Sequence, residues 1–384
     1  MNDVPDLSPR PEIAATRPAY HGAFDYAELE RLGLNPDDVI DFSVNSNPFG
    51  PSPLVRQALA SVPLDRYPDR ESLGLRRALA EHLGVSPAQI LIGNGGAELL
   101  WLVSFTFLER GDRVLTIDPT FGEYSRLAAL MGAQVNTWLA QSADGFEIQP
   151  EAVAQQLHHW RPQVVFLCNP NNPTGRYVPL EVIADWANAH PQTLFVIDEA
   201  YLAFRPDTRS TFTLGLENIL VLRSMTKDYA LAGLRLGYVV GHNQAVIRVL
   251  ARARPAWSVN ALAQAAGIAA VRDQPYLKKC LSDLAQAKEM LMAGLQLLGL
   301  APVPSATHYF LMSVGQGATF RRALLEQGVL VRDCASFGLP AYVRIASRSV
   351  EENERLLAAI QVVNSGVLTQ VEKSSGSAIS TKRG

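Results

Sequence analysis

At 384 residues, with 48% hydrophobic and 18% charged residues, the chain is long enough for two globular domains sharing a large core, and its composition excludes an intrinsically disordered protein. The formal net charge of −3, from 34 basic and 37 acidic residues, includes no basic run of the kind that holds nucleic acid or an anionic membrane surface. No apolar stretch reaches the ~18 residues of a membrane span, and Cys168, Cys280 and Cys334 lie far apart without a C-x-x-C pair. The expectations are a cytoplasmic protein with small-molecule partners, no disulfide framework and no metal site.

Residues 1–20 carry prolines and charges without periodicity and read as an N-terminal arm. A short helical stretch opens at His21-Gly22 and ends near Gly33. Residues 39–43 then lead into Asn45-Ser46-Asn47-Pro48-Phe49-Gly50-Pro51, whose Asn, Pro and Gly specify a rigid turn. Asn47 reads either as part of a domain entry loop or as an amide offered to substrate at the mouth of a site. Arg66-Tyr67-Pro68-Asp69 marks another turn, before helical periodicity over 73–83. A short strand at 90–92 runs through Gly93-Asn94-Gly95-Gly96-Ala97-Glu98 into an apolar helix at 99–108. Glycines at such a junction let backbone N–H groups approach a phosphate at the positive end of the helix, although a tight turn without a ligand uses the same residues.

Further strands are expected at 113–117, 164–168, 194–197, 219–222 and 238–240. The first four end in polar turns: Asp118-Pro119-Thr120-Phe121-Gly122-Glu123-Tyr124, Asn169-Pro170-Asn171-Asn172-Pro173-Thr174-Gly175, Asp198-Glu199-Ala200-Tyr201, and the stretch from Ser224 to Gly237. Continuous apolar strands separated by helical segments imply a parallel sheet covered on both faces, with ligands bound at the carboxyl ends of its strands.

Ser224, Lys227 and Arg235 put a hydroxyl, an amine and a guanidinium on one turn between two apolar strands. That set suits a cofactor bearing an aldehyde and a phosphate, namely pyridoxal phosphate. A partly desolvated Lys227 is fitted to form a Schiff base, and Ser224 and Arg235 to hold the phosphate. Taken alone, Lys227 reads equally as a surface lysine. Asp198 reads either as a helix cap or as the partner of a pyridinium nitrogen that keeps the ring an electron sink. Tyr201 and Asn172 are placed to bond the ring's 3′ oxygen, and Phe121 either stacks on the ring or belongs to the core.

After about residue 255 the pattern changes. Ala256-Trp257-Ser258-Val259-Asn260 caps a helix at 261–271, and 276–298 reads as a long amphipathic helix able to join two domains. Short strands at 308–312, 328–332 and 342–346, with helices at 319–326 and 350–360, describe a smaller α+β domain. Arg332 and Arg344 lie on its strands. Arg344 sits in an apolar strand, where a guanidinium requires an anion, either a structural carboxylate or that of a substrate. From residue 365 the chain turns to Ser, Gly, Lys and Thr, which bury too little apolar area to stay ordered.

The ordered set Asn-Pro-Asn-Asn-Pro-Thr-Gly, Asp-Glu-Ala-Tyr and Ser-x-x-Lys with Gly-Leu-Arg-x-Gly-Tyr resembles the fold type I pyridoxal-phosphate enzymes of the class I/II aminotransferase superfamily, over roughly residues 21–362. The resemblance implies an α/β fold with a mostly parallel central sheet plus a smaller α+β domain. It implies an arm at 1–20, a segment at 21–50 packing with the small domain, a cofactor-binding domain at 51–254, a linker helix and small domain at 255–363, and a disordered tail at 364–384. It implies Lys227 as Schiff-base lysine and proton carrier, and Asp198 at the pyridine nitrogen. Asn172 and Tyr201 would lie at the 3′ oxygen, Phe121 on the ring, and Gly96, Ala97, Ser224 and Arg235 at the phosphate. Tyr67 would reach that phosphate from a second subunit, making a homodimer. Arg344 would take a substrate carboxylate, Arg332 a substrate phosphate, and Asn47 and His308 would line the substrate.

Within the superfamily the sequence resembles two families with phosphorylated substrates. The L-threonine O-3-phosphate decarboxylases share His21-Gly22, Asp41-Phe42-Ser43-x-Asn45-x-Asn47-Pro48-x-Gly50, Trp257-Ser258-Val259-Asn260 and Val331-Arg332-Asp333-Cys334 with Tyr342-x-Arg344. The histidinol-phosphate aminotransferases share the Asn-Pro-x-Gly, Arg-Tyr-Pro and Arg-Asp elements but match less well at 257–260, so decarboxylation, as in cobalamin synthesis, is the preferred expectation. His308 departs from the Asn usual in both families, and Ala23-Phe24 from the Gly-Asn of the decarboxylases. A catalytically silent binding protein of the same fold is the remote alternative, disfavoured because Lys227 is present.

Overall fold

The computed structural model describes residues 8–16, 18 and 22–377, with side chains through 365. It divides into a large unit, comprising the N-terminal arm and residues 50–278, and a small unit, comprising residues 21–49 and 279–384. No described helix is long and apolar enough to cross a membrane.

The strands in chain order are β1 (Ile40–Asp41), β2 (Ile90–Gly93), β3 (Arg113–Asp118), β4 (Gln134–Leu139), β5 (Val164–Cys168), β6 (Leu194–Asp198), β7 (Ile219–Ser224), β8 (Gly237–Gly241), β9 (Tyr309–Ser313), β10 (Val329–Leu330), β11 (Arg332–Asp333) and β12 (Tyr342–Ala346). In the large unit, seven of them form one sheet in the order β2-β8-β7-β6-β5-β3-β4. Neighbours from β7 to β4 are parallel, and β8 runs antiparallel to both β7 and β2. Every residue of β2, β5 and β8 is buried, as expected where helices cover both faces. The edge strand β4 is half exposed, and its polar Gln-Val-Asn-Thr-Trp-Leu carries no apolar run, so the sequence pattern did not mark it.

The antiparallel step from β7 to β8 shapes the site. Parallel neighbours need a helical crossover, but antiparallel ones can be joined by a local turn. Residues 225–236 are that turn, folded tightly by Met225 N–H to Leu236 O (3.0 Å) and Leu231 N–H to Met225 O (3.2 Å). Lys227 therefore stays at the carboxyl end of β7 instead of being carried away on a helix.

In the small unit, β1 pairs with β10 in parallel, and β11-β12-β9 form an antiparallel sheet around a core that includes Phe42, Leu291, Phe310, Leu324, Val331 and Ile345. The single strand expected at 328–332 is two strands in two sheets. Val329–Leu330 pairs with β1, while Arg332–Asp333 pairs with β12, with the buried Val331 between the two.

Other boundaries differ from the sequence reading. Residues 255–278, expected with the small domain, belong to the large unit, where the helix Ala261–Arg272 packs on Pro53–Ala60 and Leu73–Leu83. The helix Gln274–Leu297 crosses the unit boundary after Lys278. The final helix, Val350–Ser377, continues past residue 364, where composition predicts a disordered tail. The backbone is helical there through Ser377, although Val, Thr, Gly and Ser in this stretch are weak helix formers. The described part of the arm forms the helix Pro11–Ala15, against which Arg110 pairs with Glu12. His21 lies outside the described residues.

Candidate active site

The carboxyl ends of β5, β6 and β7, the turn after β3 and the start of the helix Gly95–Phe107 surround one open pocket of about 580 Å³. Gly96, Ala97, Phe121, Asn172, Asp198, Tyr201, Ser224, Lys227 and Arg235 all line it. Residues up to 139 positions apart in sequence thus meet because parallel strands bring their carboxyl ends to one side.

At the centre is Asp198, 6% exposed. Its Oδ2 accepts a hydrogen bond from the Tyr124 hydroxyl at 2.7 Å, and its Oδ1 accepts one from the Ala200 N–H at 3.0 Å. Burial pushes its carboxyl above the usual range, opposed by these hydrogen bonds and by the nearby Lys227 ammonium. A buried carboxylate of this kind is stabilised by a cationic N–H donor, which is what a protonated pyridine ring offers. The cap reading of Asp198 also has a basis, since Oδ1 closes its own turn, but no α-helix follows.

The opposite end of the pocket suits a dianion. Ser224 Oγ and Thr226 Oγ1 lie 2.7 Å apart, and the first N–H groups of the helix Gly95–Phe107 sit beside the Arg235 guanidinium. A Cβ built on Gly95, which has φ +80°, would come within 2.9 Å of Arg235 Nη2. One on Gly237 would come within 3.1 Å of the Gly96 nitrogen. The absence of both side chains is what lets β8 and the helix close on this cradle. The donor set fits a phosphate.

Phe121 meets Tyr124 edge-to-face with centroids 5.6 Å apart, and Tyr124 stacks on Phe166 at 5.4 Å. Tyr124 and Thr226 are pocket residues to which sequence reading gave no role. Their signal was position alone: Tyr124 one helical turn after Phe121, and Thr226 beside Lys227. Tyr67 is not among the residues lining this pocket. It is 80% exposed and lies tilted against Trp257, ring centroids 4.7 Å apart.

The other four expected residues belong to the small unit. Asn47 is buried and its Oδ1 accepts the Phe49 N–H at 3.0 Å, so its carbonyl oxygen shapes its own loop. His308 is buried just before β9, edge-on to Tyr309. Arg332 and Arg344 are buried directly opposite each other on β11 and β12. Arg332 donates to Ser336 Oγ at 2.7 Å, and Arg344 donates to the Ser43 carbonyl.

The family model for aminotransferase class I and II matches residues 37–360. A histidinol-phosphate aminotransferase of Symbiobacterium thermophilum is 37% identical over 338 residues, covering 86% of this chain and 91% of that protein. A threonine-phosphate decarboxylase of Salmonella typhimurium is 37% identical over 350 residues, covering 88% of this chain and 94% of that protein. The crystal structure of a histidinol-phosphate aminotransferase from Sinorhizobium meliloti, in complex with pyridoxal-5′-phosphate, superposes with a TM-score of 0.80 at 29% identity, covering 92% of this chain and 97% of that one. With a model match over most of its length and relatives this similar end to end, the chain belongs to the aminotransferase class I and II family and is an enzyme of fold type I.

Proposed function

We propose that this enzyme acts at the Cα of a phosphorylated small amine, and that its reaction is transamination of histidinol phosphate. Pyridoxal 5′-phosphate is the cofactor, and the observation that carries the reading is the buried Asp198 carboxylate facing the Lys227 pocket opposite a phosphate cradle. When bound, this cofactor supplies an electron sink for the bonds of the substrate Cα. Asp198 would hold its ring nitrogen, with Asn172 and Tyr201 at the 3′ oxygen, Phe121 on the ring face, and Gly96, Ala97, Ser224 and Arg235 at the phosphate. Lys227 would take the Cα proton and return it.

The aminotransferase reading is supported by most of the relatives compared, which carry that name in organisms as distant as Symbiobacterium and Methanocaldococcus. This support weighs against the decarboxylase preferred from sequence. Arg332 would take the substrate phosphate and Arg344 the carboxylate of glutamate, with Asn47 and His308 beside them. Decarboxylation of threonine phosphate is a second reading for two reasons: Trp257-Ser258-Val259-Asn260 matches that family better, and a decarboxylase is among the relatives at 37% identity. In that case Arg344 would hold the substrate so that the carboxylate bond breaks and Lys227 protonates Cα. The active form would be a homodimer, with the exposed Tyr67 completing the second subunit's phosphate site.

One pair of assays decides. Glutamate formed from histidinol phosphate and 2-oxoglutarate establishes transamination. Repeated carbon dioxide release from L-threonine O-3-phosphate without an oxo acid overturns it in favour of the second reading. A cofactor-loaded protein inert in both assays overturns both.

A further inference from the structure

In the small unit, one buried serine that the proposed reaction does not use touches an arginine that it does. Ser43 is 2% exposed and lies just beyond β1, where the pairing with β10 extends to the Phe42 N–H on Leu330 O at 2.8 Å. The Ala346 N–H, at the end of β12, donates to Phe42 O at 3.0 Å, so Ser43 follows a residue whose backbone is pinned on two sides. The Ser43 carbonyl accepts from Arg344 Nη2. The Arg344 guanidinium also lies over the Tyr309 ring, with its central carbon 5.7 Å from the centroid.

The remaining polar groups of Ser43 are clamped as well. Its Oγ donates to Asp41 Oδ1 at 2.6 Å and accepts the Ala23 N–H at 3.0 Å, while its own N–H donates to the same Asp41 oxygen at 2.8 Å. Asp41 is held in turn through its carbonyl, which accepts Arg348 Nη1 at 3.1 Å. Two backbone features show how tightly the chain closes here. Ala23 sits at φ +101°, a conformation strained for any residue with a Cβ, which persists only where the surroundings hold it. A Cβ built on Gly22 would come within 2.7 Å of the Ser43 carbonyl oxygen, the atom that accepts from Arg344. Ala23, one of the departures from the decarboxylase pattern, is thus part of the clamp.

We infer that Ser43 is a positioning residue for Arg344: held by Asp41 and Ala23, it presents a fixed carbonyl that sets the orientation of the guanidinium for a substrate carboxylate. An arginine bonds a carboxylate through two parallel N–H groups in one plane, so rotating the fork weakens both bonds at once. An N–H committed to Ser43 fixes that plane before the ligand arrives and reduces the side-chain freedom lost on binding. The serine acts without touching the ligand.

Ser43 matters to the reaction only on the reading that Arg344 takes a carboxylate, and the experiment separates the two. Glutarate, a dicarboxylate with no reacting group, is the probe, its dissociation constant measured by calorimetry on the cofactor-loaded protein. Ser43→Ala is expected to raise that constant about fivefold, the worth of one hydrogen bond. KM for 2-oxoglutarate should rise likewise, while KM for histidinol phosphate, which carries no carboxylate, and kcat hold near their parental values. Ser43→Thr, which keeps the hydroxyl, is expected to restore the parental constants. A merely structural role would lower thermal stability without distinguishing the two substrates, and that result, or parental glutarate binding in folded Ser43→Ala, overturns the inference. Parental glutarate binding in Arg344→Lys would instead end the carboxylate reading of Arg344. The clamp is then read in the ligand-free protein by phenylglyoxal modification of Arg344, followed by peptide mass spectrometry. A severalfold faster modification in Ser43→Ala supports the clamp, and a parental rate overturns it. Should Ser43→Ala fail to fold, Asp41→Asn decides, because it turns charge-assisted hydrogen bonds into neutral ones of roughly half the strength. Faster modification of Arg344 in that variant supports the inference, and a parental rate overturns it.

Discussion

In the large unit, Asp198 and Ser224 end their strands and Lys227 stands in the turn just beyond, whereas in the small unit Arg332 and Arg344 lie within strands, opposite each other in register. Turns past strand ends leave backbone N–H groups and side chains free to converge on a ligand, and the sheet's helices insulate them. Side chains inside strands have no such freedom, since a one-residue slip of either strand would send its arginine to the other face. Two like charges directly opposite are also unfavourable, so the arginine pair calls for anions close by. Asp41 is one such anion: Ser43 donates to it through N–H (2.8 Å) and Oγ (2.6 Å), and both Arg348 and Arg344 favour its charged form against a burial that pushes its carboxyl up.

The contrast can be broken most sharply at the strand ends. Lys227→Ala is expected to lower kcat/KM by at least about 10³-fold, as for loss of a positioned proton carrier, and a variant with near-parental turnover would remove Lys227 from the chemistry. Asp198→Asn keeps shape but removes the buried charge. A loss of about 10²-fold in kcat is expected, and an unaffected kcat would return Asp198 to the role of a turn cap. In the strand interior, Arg344→Lys keeps the charge but loses the planar fork, so KM for the carboxylate-bearing substrate should rise about 10- to 100-fold with a smaller change in kcat. If kcat fell instead and KM held, the arginine pair would act on the reaction rather than on binding. Tyr124→Phe removes one hydrogen bond to a buried carboxylate, and a decrease in kcat of about tenfold, measured at saturating substrate, is expected.

The smallest expected effect is on stability. Burial pushes the Asp228 carboxyl up to about 6 in the folded protein, from an ordinary 3.8, so its contribution to stability is present at low pH and lost as pH rises between these values. Asp228→Asn should therefore gain stability relative to the parent between pH 4 and pH 7. The expected gain is roughly 1–2 kcal/mol in urea unfolding, reduced from the full linkage value because the side chain is partly exposed. An equal difference at both pH values would mean that Asp228 does not titrate in this range.

Much of this was legible in the residues themselves. Apolar runs marked six of the seven strands of the large sheet, because strands buried on both faces carry little else, and the polar turns at their ends announced the pocket. Local chemistry thus singled out Lys227, Asp198, Asn172, Ser224 and Arg235. What the sequence left open was every relation set by pairing. That β8 turns back antiparallel and keeps Lys227 at a strand end, that Val331 divides one apparent strand between two sheets and sets Arg332 against Arg344, and that Tyr124 reaches Asp198 across 74 positions all follow from tertiary hydrogen bonding and packing. Periodicity reports which face of an element is buried, but it carries no information about the neighbour that buries it.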